Sequence, residues 1–266
     1  MEKFALKRES ILNKIPTQLD PRQAFLIDGI RISFEIIEEE LVLLEHKLSI
    51  FSTEDARPRI SSLFTSVWNI IDSSARLKRM LESIGIFSIE PAMKNLFDEI
   101  FLVRHTFQHL DERIDELFID KGNPILGQLS WTYSVSAEEI KMFMVKSGID
   151  HKHNPQRISL NLLSNYRIGI NELALTAFKR VGKKVFATTE IQFDSLIQNL
   201  NMLVEAIEAR LENNNVLFSA TAGFSNTRHW VGLVNQLNCS KASNGGPHIN
   251  QSITYDDFGL INFEQT

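Results

Sequence analysis

The stretch Ile60–Leu81, ISSLFTSVWNIIDSSARLKRML, decides the fold class, because its apolar residues recur at steps of three and four. That spacing matches the period of an α-helix and predicts one long helix over about residues 56–83. Gly85 follows at the position where a left-handed glycine commonly closes a helix. The stretch therefore predicts a chain whose core is mainly helical.

Three further stripes with the same period predict three more long helices. The first covers about residues 21–49 and begins at Asp20-Pro21, a capping acid followed by proline at the first helical position. The third begins at Glu90-Pro91 and continues to about residue 118 with nearly heptad spacing. The fourth covers about residues 190–212, and its apolar stripe is too strong to stand exposed. We expect this helix to pack on the first three.

Between the third and fourth helices the sequence changes from helical to strand-like. Gly, Asn and Pro separate five short segments rich in strand formers, which are Gln128–Ser134, Ile140–Lys146, Arg157–Leu163, Ile168–Phe178 and Lys183–Thr188. Val181-Gly182-Lys183 suits a tight turn between two antiparallel strands. The predicted fold is mainly α, a four-long-helix bundle with a small antiparallel β insertion between helices three and four, and α+β overall.

The sequence suggests one domain followed by a tail. The bundle domain covers residues 1–213, with the β insertion at about 124–188. Asn213-Asn214-Asn215 suggests the end of the fourth helix, and the rest is rich in Asn, Ser and Gly without a lasting apolar period. We expect residues 214–266 to be irregular or partly disordered.

Composition narrows the class of protein. The 266 residues carry a net charge of -5 at a pI of about 5.8, so no overall basic field attracts nucleic acid, although a local basic patch is compatible with this balance. Cys239 is the single cysteine, which excludes an intrachain disulfide and fits a reducing compartment. The sequence shows no secretory signal and no apolar run long enough to span a membrane, so we expect a cytoplasmic protein.

Common motifs of nucleotide, zinc-ribbon and hydrolase sites are missing from the sequence. It contains no Walker loop, GxGxxG, CxxC or GxSxG. Their absence disfavours those three classes of site. Clusters of ionisable residues within the predicted helices are then the remaining candidates for a functional site.

Helix three contains the one such cluster that can carry chemistry, within VRHTFQHLDERIDEL, residues 103–117. His105 and His109 are four residues apart, so their rings can approach one another one turn apart. Arg104 and His109 are five residues apart and point about 140° away from each other on an ideal helix. They share a face only if the helix is distorted or if a second chain contributes.

Two interpretations of this cluster involve no catalysis. Asp111, Glu112 and the acids that follow are typical of a solvated helix face, and the histidines can simply satisfy hydrogen bonds between helices. His105 and His109 with Glu112 also suit a metal chelate on a helix. Bundle di-metal sites, however, use a Glu-x-x-His pattern on two helices, and the sequence holds no second copy. We therefore expect no metal and no other cofactor.

Arg104–His109, RHTFQH, resembles the R-x4-6-H motif of the HEPN superfamily. The resemblance covers this motif and its helical context, about residues 20–118 and the fourth helix. It implies a metal-independent endoribonuclease of a toxin–antitoxin or defence system, or a catalytically silent relative. It also implies a homodimer whose active site forms at the interface, with RNA as substrate and a protein inhibitor as a further partner.

The residues suit this chemistry on their own terms, since RNA carries its own nucleophile, the 2′-hydroxyl. A histidine with a near-neutral pKa can remove that proton or protonate the leaving 5′-oxygen. An arginine can stabilise the charge that develops on phosphorus. We assign His109 as the candidate acid/base, Arg104 as the phosphate clamp and His105 as an aid to orientation or proton transfer.

Helix two adds a short basic cluster in an otherwise acidic chain. Arg76, Lys78 and Arg79 are candidates for binding the substrate's phosphates, with Asp72 in support. A second interpretation is an Asp72–Arg76 pair one turn apart, and a third is a salt-bridge network with Asp111 and Glu112. The alternative to an enzyme is a non-enzymatic helical protein that binds a partner or ligand through its bundle.

Overall fold

The computed structural model describes eleven ranges of the chain, which are residues 3–16, 19–53, 58–85, 91–115, 124–136, 139–147, 167–182, 185–218, 224–226, 251–255 and 261–265. The chain divides into two compact units, Met1–Phe224 and Ser225–Thr266.

The first unit opens with a 3-10 turn, η1 (Ile11–Asn13), and a short strand, β1 (Lys14–Pro16). Three long helices follow, which are α1 (Pro21–Thr53), α2 (Ile60–Ile84) and α3 (Pro91–Gln108).

The predicted signals at two helix ends are confirmed. The carboxylate of Asp20 accepts a hydrogen bond of 3.1 Å from the backbone N–H of Gln23, which satisfies a donor in the first turn of α1. Gly85 has a φ of 68° and closes α2. This left-handed conformation is one that glycine adopts without steric cost.

The third helix is interrupted at His109, where the sequence predicts a continuous helix. The backbone angles of His109, φ -120° and ψ 37°, leave the helical region, and a short helix, α4 (Leu110–Arg113), begins after it. The last residues of the predicted helix, from 116 to 118, lie outside the described residues. The interruption falls at the last residue of the RHTFQH segment.

A four-stranded antiparallel sheet follows, as predicted. Its strands are β2 (Gln128–Ser134), β3 (Ile140–Lys146), β4 (Gly169–Gly182) and β5 (Val185–Gln192), in the order β3-β2-β4-β5. The bounds of β2 and β3 match the prediction, and Gly182 pairs with Val185 where a tight turn is expected. The predicted strand at Arg157–Leu163 lies outside the described residues.

Helix α5 (Phe193–Phe218) follows β5 directly and packs mainly on β4, β5 and η1. Its apolar side chains share one core with those of α1, α2, α3 and the sheet. The chain is therefore mainly α with a small antiparallel sheet, α+β overall, while a four-helix bundle stays a prediction. Asn213-Asn214-Asn215 does not end this helix, which continues to Phe218.

The second unit contains an antiparallel pair of strands. A short strand, β6 (Phe224–Asn226), lies at the unit boundary, and β7 (Gln251–Tyr255) pairs with β8 (Ile261–Gln265). This pair falls within the segment predicted to be irregular. The division at residue 213 lies inside α5, and disorder of the remaining tail stays a prediction.

Among the described helices, none combines the length and the hydrophobicity that crossing a membrane requires.

Candidate functional site

Helix α3 forms a ridge whose two flanks contact different parts of the first unit. Consecutive helical residues point about 100° apart, so Arg104, His105 and Thr106 face three directions. Arg104 binds Asp72 of α2 on one flank, and Thr106 binds Arg180 of β4 on the other. His105 is exposed between them. The histidines of RHTFQH therefore lie on the crest of the ridge.

On the α2 flank, Asp72 joins two arginines. Its Oδ1 accepts a hydrogen bond from Nε of Arg104, and its Oδ2 lies 2.5 Å from Nη2 of Arg76. Nη1 of Arg104 also donates to Oε1 of Gln108 at 3.1 Å. These bonds fix the plane of the Arg104 guanidinium, whose side chain is only 15% exposed. The guanidinium is therefore positioned before any ligand binds.

An aromatic contact closes the same flank beneath Arg104. The rings of Trp68 on α2 and Phe107 on α3 lie with their centroids 3.7 Å apart and tilted by 42°. This contact holds α2 against α3 directly beside the Asp72–Arg104 pair.

On the crest, His105 and His109 lie with their ring centroids 4.9 Å apart, edge to face. The Nδ1 atom of His109 lies 3.5 Å from Oε2 of Glu112, and the His109 side chain is 40% exposed. A carboxylate at this position can orient the imidazole ring. Two adjoining imidazoles and a carboxylate can accept and release a proton at the surface.

The sheet flank is fixed by Thr106, which is completely buried. Its hydroxyl donates to the carbonyl of Leu102 at 2.9 Å and accepts a hydrogen bond of 3.0 Å from the backbone N–H of Arg180. One turn further, Leu110 packs against Phe178 of β4. Thr106 and Leu110 directly follow the two histidines in the sequence, so β4 lies alongside the histidine pair.

The helix is distorted at His109, which is one of the two conditions under which the sequence allows Arg104 and His109 to share a face. Among the described contacts, Arg104 interacts with Asp72 and Gln108, and His109 interacts with His105 and Glu112. Arg104 and His109 therefore belong to neighbouring groups on α3 rather than to one bonded pair.

Lys78 is not placed to bind a substrate, contrary to the prediction. It is 8% exposed, and its Nζ lies 2.5 Å from Glu82 and 3.1 Å from Asp98. Burial lowers the pKa of Lys78, but hydrogen bonds to the two carboxylates outweigh this effect and raise the pKa overall. Lys78 is thus a buried tie between α2 and α3, because its register on α2 points it inward.

Arg76 and Arg79 reach the surface, as a substrate-binding role requires. The Arg76 side chain is 61% exposed even though it pairs with Asp72. Arg79 is exposed and lies over the ring of Phe101, with 4.8 Å between Cζ and the ring centroid. Both keep their positive charge close to α3.

The predicted network of helix two with Asp111 and Glu112 is replaced by a different one. Asp72 pairs with Arg76, which is one of the interpretations that the sequence allows, and it also binds Arg104. Asp111 and Glu112 are exposed, and Glu112 contacts His109 instead. Across the described ranges, no group of three or more His, Cys, Asp or Glu side chains is arranged to hold a metal ion.

Sequence reasoning missed Thr106 and Arg180 as parts of this region. A signal for Arg180 exists, since KRVGKK at residues 179–184 places four basic residues in six positions of an acidic chain. No local pattern signals that Thr106 bonds a strand 74 residues away in the sequence.

Comparisons with known proteins give no match to this chain, neither among protein-family models nor among curated sequences or solved structures.

Proposed function

We propose that this protein is a metal-independent endoribonuclease of the HEPN type, with RHTFQH as its active site. The observation that carries the proposal is the contact between His105, which is exposed, and the partly exposed His109, in the same short segment as an arginine whose guanidinium is held by Asp72. Cleavage of RNA through its own 2′-hydroxyl requires at least a group that transfers protons, here a histidine, and a cation that binds the reacting phosphate, here Arg104.

In the proposed reaction, one imidazole takes the proton of a ribose 2′-hydroxyl while the 2′-oxygen attacks the adjacent phosphorus. The bond from phosphorus to the 5′-oxygen breaks, and a protonated imidazole supplies the proton that this oxygen needs. The products are a 2′,3′-cyclic phosphate and a 5′-hydroxyl. Arg104 stabilises the negative charge that grows on the phosphoryl oxygens.

The neighbours of these residues match their assigned roles. Oε2 of Glu112 lies 3.5 Å from Nδ1 of His109, a position from which a carboxylate can orient the imidazole for proton transfer. His105, in contact with His109, suits proton transfer or ring orientation. Asp72 and Gln108 hold the Arg104 guanidinium in one plane, through Nε and Nη1 respectively, which suits a residue that must meet a phosphate in a fixed orientation.

The resemblance also supplies partners and context for the proposal. We include a homodimer, α5 as the fourth helix of a bundle, a protein inhibitor and a cytoplasmic toxin–antitoxin or defence role. The core that α5 shares with α1, α2 and α3 supports the bundle. A dimer further suits the site, because a second chain can add groups to the open crest of α3.

The test is RNA cleavage by the purified protein in EDTA. Wild type should cut RNA, and His109→Ala should lower the rate by about a hundredfold or more, the usual effect of removing a general acid or base. Arg104→Ala should abolish cutting, and His105→Ala should reduce it less. His46→Ala is the matched control, because His46 is an exposed histidine of α1.

The proposal is contradicted if Arg104→Ala and His109→Ala both still cut RNA while circular dichroism shows that both are folded. His46→Ala should cut RNA at the wild-type rate. A loss of activity in this control would show that replacing any surface histidine is harmful, so a loss in His109→Ala would then not identify this site.

A second function, binding without catalysis, is favoured by an exposed apolar stripe on α1. Phe25 is 78% exposed, and Ile32 and Leu43 are also exposed, at intervals of seven and eleven residues that place them on one helical face. Ile36 is half-buried on the same face. Such spacing fits a partner helix, and we infer that its occupant is the same stripe of a second copy of this chain.

A further inference from the structure

We propose that Arg180, near the end of the β4–β5 hairpin, is a second phosphate-binding residue that holds single-stranded RNA on the sheet flank of the histidine pair. The RNA as ligand rests on the proposed function. The position of Arg180 beside RHTFQH does not, because it follows from the contacts between α3 and the sheet.

Four contacts attach the hairpin to α3 and α4 around Arg180. The backbone N–H of Arg180 donates to Thr106 at 3.0 Å, and Phe178 packs on Leu110. Lys179 and Thr189 both bind the carboxylate of Glu99. Since Thr106 and Leu110 follow His105 and His109 directly, these contacts hold Arg180 beside the crest.

The surroundings of Arg180 leave its charge available to a ligand. Its Nε donates to the carbonyl of Gly182 at 2.9 Å, which holds the guanidinium over the hairpin end, and no described contact involves its two outer nitrogen atoms. The pairing of β4 with β5 shifts between Arg180 and Gly182. Irregularities of this kind commonly redirect a side chain next to a functional site.

The charge of the hairpin contrasts with that of the whole chain. Lys179 forms an ion pair with Glu99. Among the described residues at the turn end of the β4–β5 hairpin, Arg180 therefore supplies the positive charge that is not paired with an acid. From Leu173 to Thr189 the sequence contains no acidic residue, while the whole chain has a net charge of -5. A local basic surface beside the proposed site attracts a polyanion without requiring a basic protein.

Arg104 contacts α2 on one flank of the ridge, and the backbone of Arg180 contacts Thr106 on the other flank. A helix with its side chains measures about 10–12 Å across, so the two arginines contact different phosphates of one strand. In this arrangement Arg104 binds the phosphate that reacts and Arg180 a neighbouring phosphate. The strand therefore crosses α3 over the histidines.

The probe for this proposal is fluorescently labelled 2′-O-methyl RNA, which lacks the nucleophile and is bound without being cut. Anisotropy titrations should show that Arg180→Gln raises Kd by about fivefold or more. The dependence of log Kd on log salt should decrease by about one unit, as expected for the loss of one phosphate contact. Arg210→Gln, at an exposed arginine of α5, is the matched control and should leave Kd and the salt slope unchanged.

Equal affinity of Arg180→Gln and wild type overturns the proposal, and so does a wild type that binds no RNA. An equal loss in the Arg210→Gln control also overturns it, because the effect is then one of overall charge. Binding that depends on Arg180 in a protein that cuts no RNA supports this site and contradicts the ribonuclease. If cleavage depends on His109 while Arg180→Gln binds RNA as tightly as wild type, the ribonuclease is supported and the Arg180 site is contradicted.

Discussion

At the scale of single residues, Thr106 connects the histidine pair to the rest of the protein. Its buried hydroxyl satisfies the N–H of Arg180 on a strand and at the same time donates to the carbonyl of Leu102 on its own helix. A buried N–H that loses its acceptor is costly, because no water replaces the lost hydrogen bond. Thr106 thus ties α3, at the position next to His105, to β4.

Thr106→Val should lower the free energy of unfolding by about 1–3 kcal/mol, the usual cost of leaving a buried donor without an acceptor. Valine keeps the shape of threonine, so the loss reports on the hydroxyl. Chemical denaturation followed by circular dichroism measures it, and Thr106→Ser is the control that keeps the oxygen and forfeits only the methyl group. Equal stabilities of wild type and Thr106→Val are incompatible with this role.

The direction in which the Lys78 side chain points could not be predicted from the sequence. Its neighbours Arg76 and Arg79 are exposed, and the sequence alone presents all three as one basic cluster. The position of Lys78 on α2 points its side chain toward Asp98 of α3, where both burial and two carboxylates act on it. The direction of a side chain follows from helix packing, which becomes visible only with the neighbouring helix in place.

At the scale of elements, α3 is held to the sheet by one carboxylate that serves two strands. Glu99 accepts hydrogen bonds from Lys179 of β4 and from Thr189 of β5, the latter at 2.8 Å. Burial raises the pKa of Glu99, but the bonds to Lys179 and Thr189 outweigh burial and lower the pKa from its ordinary value of 4.5. The ionised form is therefore favoured by folding.

A group whose pKa is lower in the folded state stabilises the protein above its unfolded pKa, and this stabilisation disappears as the pH falls through the folded value. Glu99→Gln should therefore be less stable than wild type at pH 7, by about 1 kcal/mol for a partly exposed charged hydrogen bond. The difference should shrink as the pH falls below the ordinary pKa of 4.5.

Thermal unfolding of both proteins between pH 3 and pH 7 measures this trend. Glu205→Gln, at an exposed acid of α5, is the control and should show no such dependence. A stability difference between Glu99→Gln and wild type that stays constant across this range argues against the proposed clamp.

The elements that the sequence predicts best are those with a strong period or a local signal. Asp20 and Gly85 mark helix ends through local backbone chemistry, and the alternating strand formers define β2 and β3 at their observed bounds. The interruption at His109 has no such signal, since RHTFQHLDER reads as one continuous helix. It coincides with the packing of Thr106 and Leu110 against β4, and long-range contacts of this kind are not encoded in a local pattern.

For the candidate site, the sequence supplies the residue types but not their partners. Arg104, His105 and His109 stand out by composition and spacing, with Asp72, Asp111 and Glu112 as candidate supporting acids. The structure shows that Asp72 binds Arg104 and that Glu112 lies beside His109. Arg180 joins the region through the fold alone, because β4 returns to α3 only after the sheet has formed.

At the scale of the whole molecule, the apolar stripe of α1 predicts a homodimer. Wild type should elute as a dimer in size-exclusion chromatography with light scattering. A Phe25→Glu, Leu43→Glu double variant should be monomeric, because two buried charges in a helix pair are costly. Met202→Glu, at an exposed methionine of α5, is the control and should stay dimeric. A monomeric wild type, or a double variant that stays dimeric, contradicts this assignment.

The central claim is that RNA is cut through its own 2′-hydroxyl at the α3 ridge. The measurement that tests it most directly is cleavage in EDTA of one RNA, first mapped to find its cut site and then synthesised with a single 2′-deoxy nucleotide on the 5′ side of that site. We predict a 2′,3′-cyclic phosphate end on the unmodified RNA, no cut at the modified position, and no activity of His109→Ala on either. Cleavage at the deoxy position, or products ending in a 5′-phosphate, would contradict the account.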